Sequence, residues 1–339
     1  MALSHMDIFL VVSGTLILLR FFNARSWGRC TSSQSLSGKT IIVTGGNSGI
    51  GKATVTALAA RGARVVVACR NVAQAELAFT SCPHADQIVC KHLDLQSFAS
   101  VVQFAKDVNL TMDRLDVLIS NSGTFGPPFT VTEDGFELQH QVNHLSHALL
   151  QLLLLPKLEA SGDPADPARI VSVTSTRALK AEIMWNEVTR DGANELAYNR
   201  KKSYGSSKLA ALIFNAELAK RLKVRQVPVS VMSASPGLVW TNLFRHEKKS
   251  LLTMILFAPI AFAFMRSPKQ GSQTVLQCAT STGLTDPRFS GQFFRNCKAS
   301  KRFDKRCDPA EVSAVWFKTM EATKAHVPAE IIELVTMSH

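Results

Sequence analysis

The stretch TIIVTGGNSGIG, residues 40–51, decides how the rest of the chain is read. Residues 40–43 form a short apolar run rich in β-branched side chains, which is the composition of a buried strand. Thr44-Gly45-Gly46-Asn47-Ser48-Gly49-Ile50-Gly51 follows at once and opens a pattern in which Ile50, Ala53, Thr54, Ala57 and Leu58 recur at helical spacing. A glycine-rich turn at this place lets the backbone approach a pyrophosphate, whose charge then rests against helix N-terminal N–H groups and the positive end of the dipole. Glycines alone would be weak evidence. Their position between strand and helix supplies the context that a dinucleotide site requires.

Outward from this turn the chain keeps alternating. Short apolar runs at 64–68, 88–92, 115–120, 169–173 and 229–235 read as further buried strands, with helical patterns between them, so a doubly wound parallel sheet in one α/β domain is expected over residues 38–300. Residues 301–339 read as a helical tail. With 46% hydrophobic and 19% charged residues in 339, the chain can bury a large core and is neither disordered nor fibrous. The net charge of +12 favours phosphates or anionic lipid, whereas nucleic acid is not expected because no recognised module accompanies the charge. Seven cysteines, odd in number and without a C-x-x-C pair, suit reduced thiols rather than a disulfide framework.

Ahead of the domain, residues 1–24 carry the uncharged run IFLVVSGTLILL, followed by Arg20, Arg25 and Arg29. No basic region precedes the run, so it reads as an uncleaved single-pass anchor whose basic flank keeps the remainder of the chain in the cytosol. Residues 25–37 read as a linker. The run 251–265, LLTMILFAPIAFAFM, is broken by Pro259 and reads as a hydrophobic lid, with the aromatic loop 125–129 as another pocket wall. Lys298, Lys301, Arg302, Lys305 and Arg306 form a basic cluster suited to a solvated face or an anionic leaflet.

The second strand ends in Ala68-Cys69-Arg70, with no carboxylate to hold a ribose hydroxyl. Arg70, helped by Lys52, would instead pair with a 2′-phosphate, which selects NADP(H) over NAD(H). Asp94 and Leu95, after the third strand, are expected beside the adenine.

Tyr204 and Lys208 stand four apart at the start of the helical segment YGSSKLAALIFNAELAKRL and therefore share a face. A unit positive charge about 4 Å from a phenol at an effective dielectric of 20 is worth ~4 kcal/mol, or up to about 3 pKa units before desolvation opposes it. Lys208 is thus expected to lower the Tyr204 pKa, so that the phenol exchanges a proton with a carbonyl or alcohol oxygen while hydride moves to or from nicotinamide. Ser175 is placed to bond the same substrate oxygen, and Asn143 to hold a relay water. Tyr198 and Lys202 repeat the spacing, but the amphipathic helix follows Tyr204, which makes Tyr198 a loop residue at the cleft border. His140, His144 and His147 fall on one helix side without an acidic general base, and no metal is expected.

These motifs, TGGNSGIG, SNSG at 120–123, VNH, VTS, YGSSK and Pro236-Gly237, resemble the short-chain dehydrogenase/reductase family, and within it the membrane-anchored retinol dehydrogenases and the oxidoreductase domain of the WW-domain-containing oxidoreductase. The resemblance implies a Rossmann-type sheet with Tyr204 as acid/base, Lys208 as the residue that tunes it and holds the nicotinamide ribose, Ser175 as substrate-oxygen ligand and Asn143 in the relay. For the cofactor it implies Gly45, Gly49, Gly51, Arg70, Asp94, Asn121 and Thr241, with Asn47, Ser48, Ile50, Lys52, Leu95, Pro236, Gly237 and Val239 around them. It also implies a lipophilic carbonyl or alcohol, retinoid- or steroid-like, as substrate and the endoplasmic reticulum as the membrane; a homodimer is the candidate assembly, which the sequence does not decide. SNSG stands where the family usually reads NNAG, and Thr174 replaces a common serine. A cofactor-binding scaffold or redox sensor with little turnover is the alternative reading.

Overall fold

The computed structural model describes residues 5–185, 188, 195–241, 251–303 and 308–336. Helix α1 (His5–Ser26) precedes β1 (Thr40–Thr44), α2 (Gly49–Ala59), β2 (Arg64–Cys69), α3 (Val72–Phe79), β3 (Ile88–His92), α4 (Phe98–Thr111) and β4 (Val117–Ser120). There follow α5 (Leu138–His140), a π turn at Gln141–Leu145, α6 (Ser146–Ser161), β5 (Ala168–Val173), α7 (Arg200–Val224) and β6 (Val229–Ser235). The remainder comprises α8 (Leu251–Phe264), α9 (Pro268–Thr280), β7 (Phe293–Arg295), β8 (Lys298–Ala299), α10 (Pro309–Thr323) and α11 (Ala329–Thr336).

The strands form one sheet in the order β3-β2-β1-β4-β5-β6-β7-β8, parallel throughout except for the antiparallel β8. All six expected strands are present. Alternate side chains feed two cores: Ile41, Val43, Val65, Val67 and Ile119 face α2 and α9, while Ile42, Val66, Leu118 and Ile170 face α4, α6 and α7. Burial on both faces explains why these strands read as continuous apolar runs.

One interruption crosses the second core. Ser120, Ser172 and Ser233 lie in register on β4, β5 and β6. Gln151 Nε2 donates to Ser172 Oγ at 3.0 Å, and Asn215 Nδ2 to Ser233 Oγ at 3.3 Å. Buried hydroxyls are thus met by amides rather than left in hydrocarbon.

The C-terminal helices are part of the domain. Trp316 of α10 stacks on Phe214 of α7 at 5.2 Å under the Arg221 guanidinium at 4.2 Å, and Ile331 and Val335 of α11 enter the same core. The stretch expected as a linker is also docked: Cys30 N donates to Gln273 Oε1 at 3.1 Å and Ser32 Oγ to Thr280 O at 2.8 Å, both on α9. The six cysteines among the described residues are free, and Cys307, Lys305 and Arg306 lie outside them.

Helix α1 packs on α8. Arg20 of α1 donates to the carbonyls of Phe262, at 3.0 Å, and Met265, while Asn23 Nδ2 reaches Ala263 O at 3.2 Å. These bonds consume carbonyls that the C-terminus of α8 leaves without intrahelical partners. Trp27 then lies between the guanidinium groups of Arg20, at 4.7 Å, and Arg266, at 5.2 Å. Among the described residues no helix is long and apolar enough to cross a membrane; the side chains of residues 5–10, 12 and 251–257 lie outside that description.

Candidate active site

At the carboxyl ends of the parallel strands a cleft of about 860 Å³ runs from the Gly45–Gly51 turn to Tyr204. Gly49 takes φ +52°, a left-handed conformation that side chains resist. At Gly51 a Cβ would stand 2.2 Å from Gly45 O and 2.6 Å from Asn121 Nδ2, so the turn closes only with glycine there. Ser48, the N-cap of α2, makes no side-chain capping bond, which leaves the first-turn amides available to an anion. The volume, the tight turn and the uncapped helix end fit a dinucleotide.

Asn47, Ile50, Arg70, Asp94, Leu95, Asn121, Pro236, Gly237, Val239 and Thr241 line the same cleft. Asn121 is fixed by donating to Thr44 O at 2.9 Å and Gly45 O at 3.3 Å, and its backbone N–H donates to Thr44 Oγ1 at 2.9 Å. The Pro236–Gly237 loop rests on Arg266, which donates to Pro236 O at 3.1 Å. Lys52 does not join them. Its ammonium lies 5.8 Å from the Phe79 ring and off the cleft, which corrects the expectation that it assists Arg70. Sequence reasoning missed Asn71 and Gln74, which border Arg70, and Arg177, which enters beside Tyr204.

Ser175, Tyr204 and Lys208 also line the cleft. The Tyr204 ring meets Phe125 edge-on at 4.9 Å, and Ser175 lies close enough to its hydroxyl to act on the phenol. Lys208 Nζ donates to Val173 O at 2.9 Å. The expected downward pull of Lys208 on the phenol is not what sets it. Burial pushes Tyr204 up to about 12, against the opposing effects of Ser175 and the Arg177 charge, and burial brings Lys208 down to about 8. At neutral pH the phenol is therefore a protonated donor and the ammonium still charged.

Asn143 lies behind these groups in the π turn, where the wider helix lets its side chain reach two directions. Its Oδ1 accepts from Thr124 N at 2.8 Å, and its Nδ2 donates to Thr124 O and Ser207 Oγ, both at 3.0 Å. The amide ties the loop after β4 to α7.

The three histidines go separate ways. His147 Nε2 pairs with Thr44 Oγ1 at 3.0 Å, and His144 Nε2 with Thr319 Oγ1 at 2.8 Å. Since Thr44 Oγ1 already accepts from the amides of Asn121 and Ser122, its proton goes to His147 Nε2. The ring nitrogens of His140 have no hydrogen-bond partner among the described residues, and no cluster of metal-ligating side chains occurs there. Burial holds His140 down to about 4 and His144 and His147 to about 3, so all three are neutral.

The second tyrosine is placed differently. Tyr198 precedes α7 outside the cleft lining, where its hydroxyl donates to Glu137 Oε1 and accepts from Gln139 Nε2, each at 2.8 Å.

Comparison with known proteins agrees with this geometry. The short chain dehydrogenase family pattern matches residues 39–187. The chain is 39% identical to mouse retinol dehydrogenase 14 over 294 residues, covering 83% of this chain and 84% of that protein. It is 40% identical to human retinol dehydrogenase 11, covering 80% and 81%, and 33% identical to human retinol dehydrogenase 13, covering 94% of each. Among solved structures, an uncharacterised protein from Mycobacterium paratuberculosis superposes with a TM-score of 0.66 at 28% identity, covering 88% of this chain and 98% of that one. The Pseudomonas aeruginosa RhlG/NADP complex shares the fold, with a TM-score of 0.61 at 24% identity over 77% and 95% of the two chains. A Rossmann-like parallel sheet, a glycine turn at its switch point and relatives aligned over most of their length lead to one assignment: the chain is an oxidoreductase of the short-chain dehydrogenase/reductase family, related to the retinol dehydrogenases.

Proposed function

We propose that this protein transfers hydride between NADP(H) and a lipophilic carbonyl or alcohol, retinoid- or steroid-like, with Tyr204 as the acid/base. The observation that carries the reading is that Ser175, Tyr204 and Lys208 line the same cleft as the glycine turn. In reduction the protonated phenol donates to the carbonyl oxygen, and the Ser175 hydroxyl positions that oxygen. Nicotinamide bound in the cleft supplies the hydride. Lys208, charged at neutral pH, favours the phenolate left behind, and Asn143 keeps the β4 loop and α7 in fixed relation. Arg70 at the cleft edge, with no carboxylate beside it on β2, supports a 2′-phosphate and hence NADP(H).

A membrane location has its own support. Among the described side chains sixteen large hydrophobic ones are exposed; six lie on α1, three on α8, and Leu238 and Trp240 beside them. No acidic residue occurs in 11–35 or 251–284, whereas Arg25, Arg29 and Lys269 are exposed at the base of the two helices. An apolar pair of helices with a basic collar suits insertion at an anionic, cytosol-facing leaflet, with α1 as anchor. Because Leu238 and Val239 also line the cleft, a lipophilic substrate would enter from the membrane side.

The test is a titration in detergent with NADPH and NADH, read by tryptophan quenching, then addition of all-trans-retinal while following reduced-nicotinamide absorbance. NADPH binding with oxidation on adding retinal is expected. Binding without oxidation would move the search to other lipophilic carbonyls, and binding of neither cofactor would favour the scaffold reading.

A further inference from the structure

Glu137 is a fully buried side chain that forms no ion pair among the described residues and accepts from four donors. Its Oε1 accepts from Gln139 N at 3.0 Å and the Tyr198 hydroxyl at 2.8 Å; its Oε2 accepts from His140 N at 3.0 Å and Ser203 Oγ at 2.8 Å. A buried carboxylate is costly unless every lone pair finds a donor. Two of those donors come from helix backbone, so any segment bearing Tyr198 or Ser203 is held wherever Glu137 puts it.

The neighbouring Gln139 extends the junction. Its Oε1 accepts from Gly126 N at 3.1 Å, while its Nε2 donates to the Tyr198 hydroxyl at 2.8 Å and to Arg200 O at 3.0 Å. Glu137 N also donates to Val188 O at 2.7 Å, and the Tyr198 ring meets Phe129 at 5.3 Å. Three segments, the loop around 126–129 whose Pro127 lines the cleft, Val188, and residues 198–200, are therefore tied to one pair of side chains. The same pair reaches α7 at Ser203, one residue before Tyr204.

We propose that Tyr198 is a positioning residue: through Glu137 and Gln139 it fixes the loop that carries the cleft-lining Phe125 and Pro127 relative to Tyr204, and so sets how well substrate fits beside the phenol. This rests on the functional reading above and gives the repeated Tyr-x-x-x-Lys spacing a use that is not proton transfer. Tyr198 has no proton to spare for catalysis, since its own is donated to Glu137.

The experiment compares wild type with Tyr198→Phe as full-length, NADPH-loaded protein in detergent. Removal of the hydroxyl leaves an oxygen of Glu137 and the amide of Gln139 each short of a partner. Amide exchange at residues 125–129 and 195–200 is expected to rise about tenfold or more, with exchange in β4 and β5 unchanged. The KM for all-trans-retinal is expected to rise about tenfold while kcat and NADPH affinity stay within about twofold. Unchanged exchange together with unchanged KM would overturn the proposal, as would a fall in kcat at constant KM. Should wild type bind neither NADPH nor NADH, the functional reading falls; should it bind NADPH without turning over retinal, retinal is not its substrate, and in either case the exchange comparison alone decides the junction.

Discussion

Two segments of this chain carry the same Tyr-x-x-x-Lys spacing six residues apart, and the fold gives them opposite employment. Tyr204 and Lys208 both lie inside α7, both are buried, and both line the cleft. Tyr198 stands outside the helix, because Asn199 caps it by accepting from the amides of Lys201 and Lys202, and Lys202 points to solvent. Spacing of four places two groups on one face only when both belong to the helix. The N-cap, one residue after Tyr198, is what separates the two.

That contrast can be broken most sharply at Tyr204. Tyr204→Phe is expected to lower kcat for retinal reduction by about 10³-fold or more while NADPH quenching of tryptophan stays unchanged, as steady-state rates and a binding titration would show. Full activity in this variant, with activity lost in Tyr198→Phe, would invert the assignment. Next in size is Arg70→Glu, which exchanges a charge-assisted partner for a repulsive one. NADPH affinity is expected to fall about ten- to hundredfold and NADH affinity to change far less, measured by the same titration.

A smaller effect separates buried from exposed titration. Because the folded pKa values of His140, His144 and His147 lie below the ordinary 6.5, the unfolded chain binds more protons as pH falls through 6.5, and stability is lost toward pH 4. Each histidine contributes up to roughly 3 kcal/mol of that loss. Thermal melts from pH 7 to pH 4.5 should show a steep fall that His147→Gln partly flattens; a flat wild-type profile would contradict their neutral burial. Smallest of all, Lys202→Ala should leave kcat, KM and melting temperature within about 2-fold or 2 °C, as expected of an exposed side chain.

What the sequence disclosed follows the reach of local physics. Six strands, the glycine turn, and the alignment of Tyr204 with Lys208 all depend on neighbours within a few positions, and all are legible in the one-dimensional pattern. Glu137 sits in an ordinary polar stretch, TEDGFE, where a glutamate is expected at the surface; its decisive partners Tyr198 and Ser203 lie 61 and 66 positions away. Lys52 illustrates the converse, since its place on the first turn after the glycines suggested a phosphate contact, whereas its exposed ammonium lies 5.8 Å from the Phe79 ring and outside the cleft lining. β7 and β8, three and two residues long, were too short to carry a period, and the Phe214–Trp316 stack that brings α10 into the core joins segments a hundred positions apart.

The serines aligned across β4, β5 and β6 have a consequence beyond their own hydrogen bonds. Apart from Arg169, Ser230 and Ser235 these strands are apolar on both faces, and hydrophobicity alone would tolerate a neighbour displaced by one position. A slip of one residue turns each hydroxyl to the opposite face, among Met232, Ala234 and the α9 side chains, and leaves Gln151 and Asn215 facing hydrocarbon. The row therefore works as a vernier for strand pairing: a few polar atoms make every misaligned sheet pay in desolvation, and the carboxyl ends of β4 to β6 arrive level beneath the cleft.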